Sequence, residues 1–337
     1  MTTDRTLRRR TLLQMVGGAG LAPSIARAEP RQIRMGIQYG VTYLPMAVMQ
    51  HEGLIEKHAK AAGLGEVQAV WTRSAGGNVL NDALLAGQLD CCATGFPSFL
   101  ILWAKGRGRL AIKGLASYGN TPLLLLTRNQ AVKSIADFSD ADRITVPAVK
   151  SSIQAMLLQM AADKIWGQFD RLDRLTLSRS HPDAITALLA GATEIDSAFS
   201  APPYQYQALA RPGIHVVTTS DDIFGGPLSN GLLYMTEAFH DANLPAVGAV
   251  NSALREALQL VEQDPAAAAR MYIETTGEKI DPALALKTIT APGTKFEATP
   301  RGTMGFATFM HRTGAIAKVP GSWRDVYFTE AHDLMGS

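Results

Sequence analysis

The stretch ALLAGQLDCCATGF, Ala83 to Phe96, decides how this chain is read, because its opening returns in ALLAGATEIDSAFSAP, Ala187 to Pro202. Ala-Leu-Leu-Ala-Gly reads as the last turn of a helix closed by glycine, the residue that enters a left-handed conformation without a Cβ penalty. Each copy then runs through an acid into small and apolar residues, the signature of a short buried strand. A helix ending and a strand repeated 104 positions apart predict two lobes of similar build.

Outward from these anchors the same grammar continues. In the first half, Ile33–Gln38 reads as a strand and Tyr39–Leu44 as a loop. A helix opens at Pro45, which suits a first turn, and its apolar spacing runs to Ile55. Val67–Thr72 is a strand, Ser74–Asn78 a turn with Asn78 as helix cap, Val79–Ala86 a helix and Leu89–Ala93 a strand. In the second half, strand Ile144–Val149 and loop Lys150–Ser152 lead into a helix over Ile153–Trp166. Strand Leu175–Leu177, a cap at Ser180–Asp183, the second Ala-Leu-Leu-Ala-Gly, strand Ile195–Phe199 and loop Ser200–Pro203 follow. Strands are also expected at 214–218 and 232–236, then helices at 244–263, 265–275, 282–290 and 301–313.

This alternation predicts an α/β fold of two lobes, each a mostly parallel sheet flanked by helices, with a helical C-terminal tail on the first lobe. The expected boundaries are 30–122 for the first part of lobe 1, 123–227 for lobe 2, and 228–337 for the return to lobe 1 and the tail. The chain then crosses between lobes near Tyr118–Thr121 and near Gly225–Asn230, and two crossings make a hinge.

The first 28 residues read as an address label rather than fold. Arg8-Arg9-Arg10 precedes a mildly apolar stretch, Leu12–Ala26, and Ala26-Arg27-Ala28 offers small residues to a signal peptidase. The arginines ahead of Thr-Leu-Leu point to twin-arginine export, with a Sec signal as the alternative. Removing residues 1–28 takes away five arginines and one aspartate, which leaves 309 residues with 27 basic and 29 acidic side chains, net −2. A case for nucleic acid, which needs a basic surface, does not survive that subtraction. Cys91 and Cys92, the two cysteines, are neighbours; on a strand they face opposite sides and are expected to pack as small hydrophobes.

In an open parallel sheet, ligands sit beyond the carboxyl ends of the strands. The loops expected there, Ser74–Asn78, Lys150–Ser152 and Ser180–His181, all precede helices, whose free N–H groups and positive dipole ends suit an anion. Small residues such as Gly76 and Gly77 let a ligand reach the backbone. Arg73 or Lys150 is the candidate cation for an acid group, and Tyr39, Tyr43 or Phe96 the candidate cover for an organic part. Taken singly, Ser74, Asn78 and Ser152 read as helix caps and the tyrosines as packing; their shared position at strand-to-helix junctions is what groups them. No His-Glu-x-x-His, Cys-x-x-Cys, Gly-x-Ser-x-Gly, Ser-x-x-Lys or Gly-Lys occurs, so a catalytic or P-loop reading has no motif to rest on. Asp221-Asp222 reads as a solvated turn.

The order of these elements, with DALLAGQLDCCATGFPSFLILWAKG, ITVPAVKSSIQAMLLQMAADKIWG and FATFMHRTGAIAKVPGSWRDVYF (Phe306–Phe328), resembles periplasmic substrate-binding proteins of ABC importers, nitrate/sulfonate/taurine branch. The resemblance implies a soluble, monomeric receptor without cofactor or catalytic residue. It would close on a small anion, with a sulfonate such as taurine as first guess, and deliver it to an inner-membrane permease with its ATPase. Carried over by position, the ligand loops are Tyr39–Leu44 with Thr42, Ser74–Asn78, Thr94–Phe96 with Gly95, Ser117–Asn120, Lys150–Ser152 with Ser151, Ser180–His181, and Ser200–Pro202 with Ala201; Asn230 joins them from the second crossing. A carboxylate, nitrate or pyrimidine-type ligand, or a periplasmic enzyme on this scaffold, is the alternative. A zwitterion such as taurine also needs an acceptor for its amine, and no carboxylate in the sequence stands out for that role.

Overall fold

The computed structural model describes residues 31–191 and 194–337, so the export-signal expectation for residues 1–28 lies outside the described residues. Two five-stranded sheets organise the described residues. In the first half, strand β1 (Gln32–Ile37) leads to helices α1 (Leu44–His51) and α2 (Leu54–Ala61), then β2 (Gln68–Arg73), α3 (Gly77–Leu85), β3 (Cys91–Gly95), α4 (Phe96–Lys105) and β4 (Ile112–Ser117). The second half runs β5 (Leu124–Thr127), β6 (Ile144–Val146), α5 (Ile153–Trp166), β7 (Thr176–Ser178), α6 (His181–Leu189), β8 (Ser197–Ser200), α7 (Tyr204–Leu209), β9 (His215–Thr219) and α8 (Ser220–Phe224). The chain then returns as β10 (Gly231–Thr236), followed by α9 (Glu237–Ala242), α10 (Leu244–Gln263), α11 (Pro265–Thr276), α12 (Pro282–Ile289) and α13 (Thr303–Arg312).

The sheet orders are β2-β1-β3-β10-β4 and β7-β6-β8-β5-β9. In each, one strand runs against the other four: β10 pairs antiparallel with β3 and β4, and β5 with β8 and β9. Both reversed strands are the first made after a crossing between lobes. This is the two-lobed α/β architecture that the repeat predicted.

The repeat has a physical basis in the structure. Gly87 (φ 69°) and Gly191 (φ 68°) both turn left-handed after their helices. The acid that follows is a tie within the sheet. Asp90 accepts the backbone N–H of Arg34 at 2.8 Å and its guanidinium at 2.9 and 2.6 Å. Asp196 accepts the N–H of Arg143, just ahead of β6, at 3.2 Å. In lobe 1 the acid ahead of β3 thus anchors β1, and in lobe 2 the acid ahead of β8 anchors β6.

Cys91 and Cys92 are buried and unbridged, and they do face opposite sides. Cys91 packs with α1 and α10 residues such as Val48 and Val250, and Cys92 with Leu80 and Phe99. The tail covers lobe 1, with α10 and α11 against α1 and α13 against α4. One apolar cluster joins Phe99 of α4, Met156 and Leu157 of α5 and Phe309 of α13, so the lobes are packed together. At the rim, Arg312 of α13 pairs with Asp163 of α5 at 3.2 and 2.5 Å.

Several local expectations are corrected. The helix expected over 45–55 breaks at Gly53 (φ 59°) into α1 and α2. Helix α3 starts at Gly77, capped by Gly76 with no side-chain bond, which leaves Asn78 exposed inside the first turn instead of capping it. β3 lies two residues later than expected and passes directly into α4, so Thr94–Phe96 is not a loop. Asp221 is half-buried in α8 rather than solvated. It accepts from Ser220 Oγ at 2.9 Å and from Asn120 Nδ2 at 3.4 Å, and burial raises its carboxyl pKa.

Candidate functional site

Five helix starts meet at one cavity between the lobes. Tyr43 precedes α1, Gly77 opens α3, Gly95 precedes α4, Ser152, Ile153 and Gln154 open α5, and His181 opens α6; all of them line it. The cavity holds about 40 Å³, room for on the order of three waters. Gln38, Tyr39, Thr42, Ser98, Leu123, Pro147, Ser151, Ala201 and Asn230 complete the wall. No Lys, Arg, Asp or Glu is among these lining residues.

The helix starts approach so closely because their residues are small. A Cβ on Gly77 would lie 2.7 Å from Ser98 Oγ and 2.9 Å from Ser98 Cβ, so only glycine lets α3 begin against α4. Helices α3 and α4 carry no side-chain cap, so no side chain competes for their first N–H groups; at α1 the Leu44 N–H already donates to Val41 O and Pro45 has none to offer. Ser152 caps α5 by accepting from Ala155 N at 3.2 Å, and Ser180 caps α6 by accepting from Asp183 N at 3.3 Å. Each helix N-terminus offers a nearby anion about 0.3–2 kcal/mol, the upper figure for partly buried geometry.

The polar side chains of the wall are held in place. Tyr43 Oη donates to Gln38 Oε1 at 2.9 Å. His181 is buried, and desolvation lowers its pKa from 6.5 to about 4. The imidazole is therefore neutral, and its Nε2 lies 3.4 Å from Gln154 Nε2. The amide nitrogen can only donate, so His181 Nε2 accepts and its proton sits on Nδ1. Behind it the ring stacks on Tyr204 of α7, with centroids 6.0 Å apart. Tyr204 Oη donates to Glu278 Oε1 at 2.7 Å. That bond spans the lobes, since Glu278 follows α11 in the tail. Val41 N donates to Pro202 O at 2.8 Å beside it.

A smaller cavity of about 10 Å³ adjoins this one behind Gln38 and Tyr43, with Arg73, Tyr272 and Glu278 in its wall. Glu278 Oε2 and Tyr272 Oη are buried there without a hydrogen-bond partner among the described residues. Glu278 is a carboxylate in the wall of the smaller cavity, and Gln38 and Tyr43 line both cavities.

Of the residues picked out in the sequence, Tyr39, Thr42, Tyr43, Gly77, Gly95, Ser151, Ser152, His181, Ala201 and Asn230 line the cavity. The others do not. Lys150, in a left-handed conformation (φ 58°), is exposed. Arg73 lies over the Tyr39 ring at 5.9 Å and faces the smaller cavity. Phe96 is fully buried against Tyr327, ring centroids 6.5 Å apart, and covers no cavity. Thr94 and Ser117 are buried in the sheet, on Tyr234 Oη at 3.3 Å and Gly231 O at 3.0 Å. Asn120 ties the first crossing to the tail through Gly293 O at 3.0 Å. Ser74 and Gly76 sit beside the start of α3, Asn78 is exposed, Ser180 caps α6, and buried Ser200 points to Ala201 O at 3.4 Å. Sequence reasoning missed Gln38, Ser98, Leu123, Pro147, Ile153 and Gln154. The Phe96-Pro97 start of α4, with proline in the first turn, is the signal that could have exposed Ser98.

The sequence pattern of the NMT1-like family matches residues 26–274. A comparison with curated protein sequences finds no match. Among solved structures, the chain resembles the alkanesulfonate-binding protein SsuA of Xanthomonas axonopodis pv. citri bound to MOPS. The two share 20% identity and a TM-score of 0.70 over 86% of this chain and 96% of that one. It also resembles the periplasmic aliphatic sulphonate-binding protein SsuA of Escherichia coli (18% identity, TM-score 0.67, 90% and 99% covered). The periplasmic nitrate-binding protein NrtA of Synechocystis PCC 6803 is similar too (14%, 0.66, 90% and 87%). At these identities the likeness establishes the fold.

Proposed function

The chain belongs to the NMT1-like family, and from that premise we propose that it is a periplasmic solute receptor for a small anion. One observation carries the reading: five helix starts from both lobes converge on a cavity whose lining side chains are all uncharged. Main-chain dipoles and hydroxyls then supply the attraction, in place of a lysine or arginine. The structural relatives named for sulfonate and nitrate binding support this class of ligand. Within it, the lining favours an anion without an ammonium group, because no carboxylate faces the cavity to receive one. A simple alkyl sulfonate replaces taurine as first choice, with nitrate or a small carboxylate next.

In this proposal, residues 123–227 swing against 30–122 and 228–337, and the closed form hands the ligand to a membrane permease with its ATPase. Residues 1–28 would direct export. The protein binds its ligand without turning it over. Thermal melting of residues 29–337 against ethanesulfonate, nitrate, taurine and small carboxylates tests this. A ligand at 100 times its Kd adds about 2.7 kcal/mol of stability, and mass spectrometry of the released ligand should find it unaltered. No shift with any anion would refute the reading; conversion of the ligand would favour an enzyme.

A further inference from the structure

Asn230 sits where the second crossing re-enters lobe 1. Its backbone N–H donates to Gly119 O at 2.9 Å, on the first crossing. Its side-chain Oδ1 accepts twice from the same crossing: from the Thr121 backbone N–H and from Thr121 Oγ1 at 3.0 Å. A backbone N–H can only donate, so the amide must present its oxygen to Thr121, and the orientation of Asn230 is fixed. The Thr121 hydroxyl proton is committed to Asn230. Thr42 Oγ1, 2.6 Å from Thr121 Oγ1, must then be the donor in that pair. One chain of bonds runs from the lobe 1 wall of the cavity through both crossings.

The other end of the amide is free. Asn230 is 3% exposed and lines the cavity, and its Nδ2 has no hydrogen-bond partner among the described residues. A buried donor left unmade costs about 1–3 kcal/mol, a cost relieved by an acceptor in the cavity. We infer that Asn230 is a specificity-determining residue that reads the ligand and the hinge together: Nδ2 donates to an oxygen of the bound anion while Oδ1 keeps the two crossings in register. This rests on the anion-receptor reading above. It adds that a ligand presenting a donor at that point, such as an ammonium or a hydroxyl proton, is rejected there.

The test uses Asn230→Asp and Asn230→Ala in residues 29–337. Asn230→Asp keeps the acceptor for Thr121 and replaces the free donor with a charged oxygen. Asn230→Ala removes both functions. Calorimetry with the anion that wild type binds best, from ethanesulfonate, nitrate and acetate, reads the ligand side. Hydrogen exchange at the Thr121 amide, without ligand, reads the hinge side. Expected for Asn230→Asp is a loss of affinity of about 100-fold or more, the loss of one hydrogen bond to a charged group together with the repulsion of a charged oxygen facing the anion, with Thr121 protected as in wild type. Expected for Asn230→Ala is about 10-fold weaker binding and faster Thr121 exchange. If Asn230→Asp does not fold, the Asn230→Ala measurements decide alone. Wild-type affinity in either folded variant overturns the inference while leaving the receptor reading standing. Wild-type protein that binds none of the anions overturns the receptor reading, and this inference with it.

Discussion

Replacing Tyr204 by Phe removes a single oxygen from the contact between the lobes. The ring that stacks on His181 stays; the 2.7 Å bond to Glu278 across the lobes goes. Glu278 Oε2 has no hydrogen-bond partner among the described residues, so the variant also takes the donor from Oε1, in the smaller cavity that Glu278 shares with Tyr272 and Arg73. In an open form both oxygens would reach water. Under the proposed hinge closure, the hydroxyl favours the closed state by the worth of a hydrogen bond to a charged group, about 1.5–3 kcal/mol. Ligand binding that requires closure should weaken by about 10- to 100-fold. Titration calorimetry with the best-bound anion measures this, and small-angle scattering of the unliganded variant should show a larger radius of gyration. Affinity within about twofold of wild type, with unchanged scattering, would refute the idea that this bond holds the lobes shut. Glu278→Gln provides the companion: it retains an acceptor for Tyr204, and the loss should be smaller than with Tyr204→Phe.

Further outcomes follow from the same geometry. Gly77→Ala places a Cβ 2.7 Å from Ser98 Oγ and should cost about 1–3 kcal/mol of stability by overpacking. Chemical denaturation should show part of that loss recovered in Gly77→Ala with Ser98→Gly, since the two Ser98 atoms are then gone while Thr94 Cβ at 3.1 Å remains and the new glycine weakens α4. His181 titrates near 4 when folded and near 6.5 in the free chain, so the unfolded chain binds the extra proton between those values. Its contribution is complete above pH 6.5 and fades as the pH falls toward 4, a slope worth about 3 kcal/mol over that window. His181→Gln should flatten that part of a melting-temperature profile. Binding measured above pH 6.5 should be independent of pH in so far as His181 governs it.

Much of the architecture could be read without coordinates, and the reason lies in residues whose local role is also their global one. Gly87 and Gly191 end helices in a left-handed conformation that glycine adopts without a Cβ penalty, and Asp90 and Asp196 each tie a neighbouring strand of their sheet. The tail helices were legible because Pro265, Pro282 and their preceding aspartates mark starts: Asp264 and Asp281 accept from the first-turn N–H groups. Helix α4 was not read as a helix. Its run Phe99-Leu-Ile-Leu-Trp103 is apolar all round because both lobes and α13 pack on it, which erases the amphipathic period. The site was half legible. Helix starts announce themselves through small and capping residues, so Gly77, Ser152 and, beside the Ser180 cap, His181 could be picked out, while Gly95 came only with the family resemblance. Which way a charged side chain turns depends on the backbone around it. Lys150 attracted attention by its charge, yet its left-handed turn leaves it in solvent. Gln154 and Gln38 carry no such flag and reach the cavity through the placement of their elements alone.

The reversed strand in each sheet bears on the order in which the molecule can assemble. The five strands of the second sheet, β5 to β9, are contiguous between Leu124 and Thr219, so that half has every strand it needs as soon as the segment is available. The first sheet does not: β10 lies between β3 and β4, and without it β4 has no neighbour in the sheet. Residues 32–117 must therefore wait with an open gap until residues 118–230 have passed. Pairings so distant in sequence form slowly. A fragment ending before Gly231 would leave β3 with a bare edge, prone to pairing with another chain, while a fragment spanning 123–227 would carry a complete sheet.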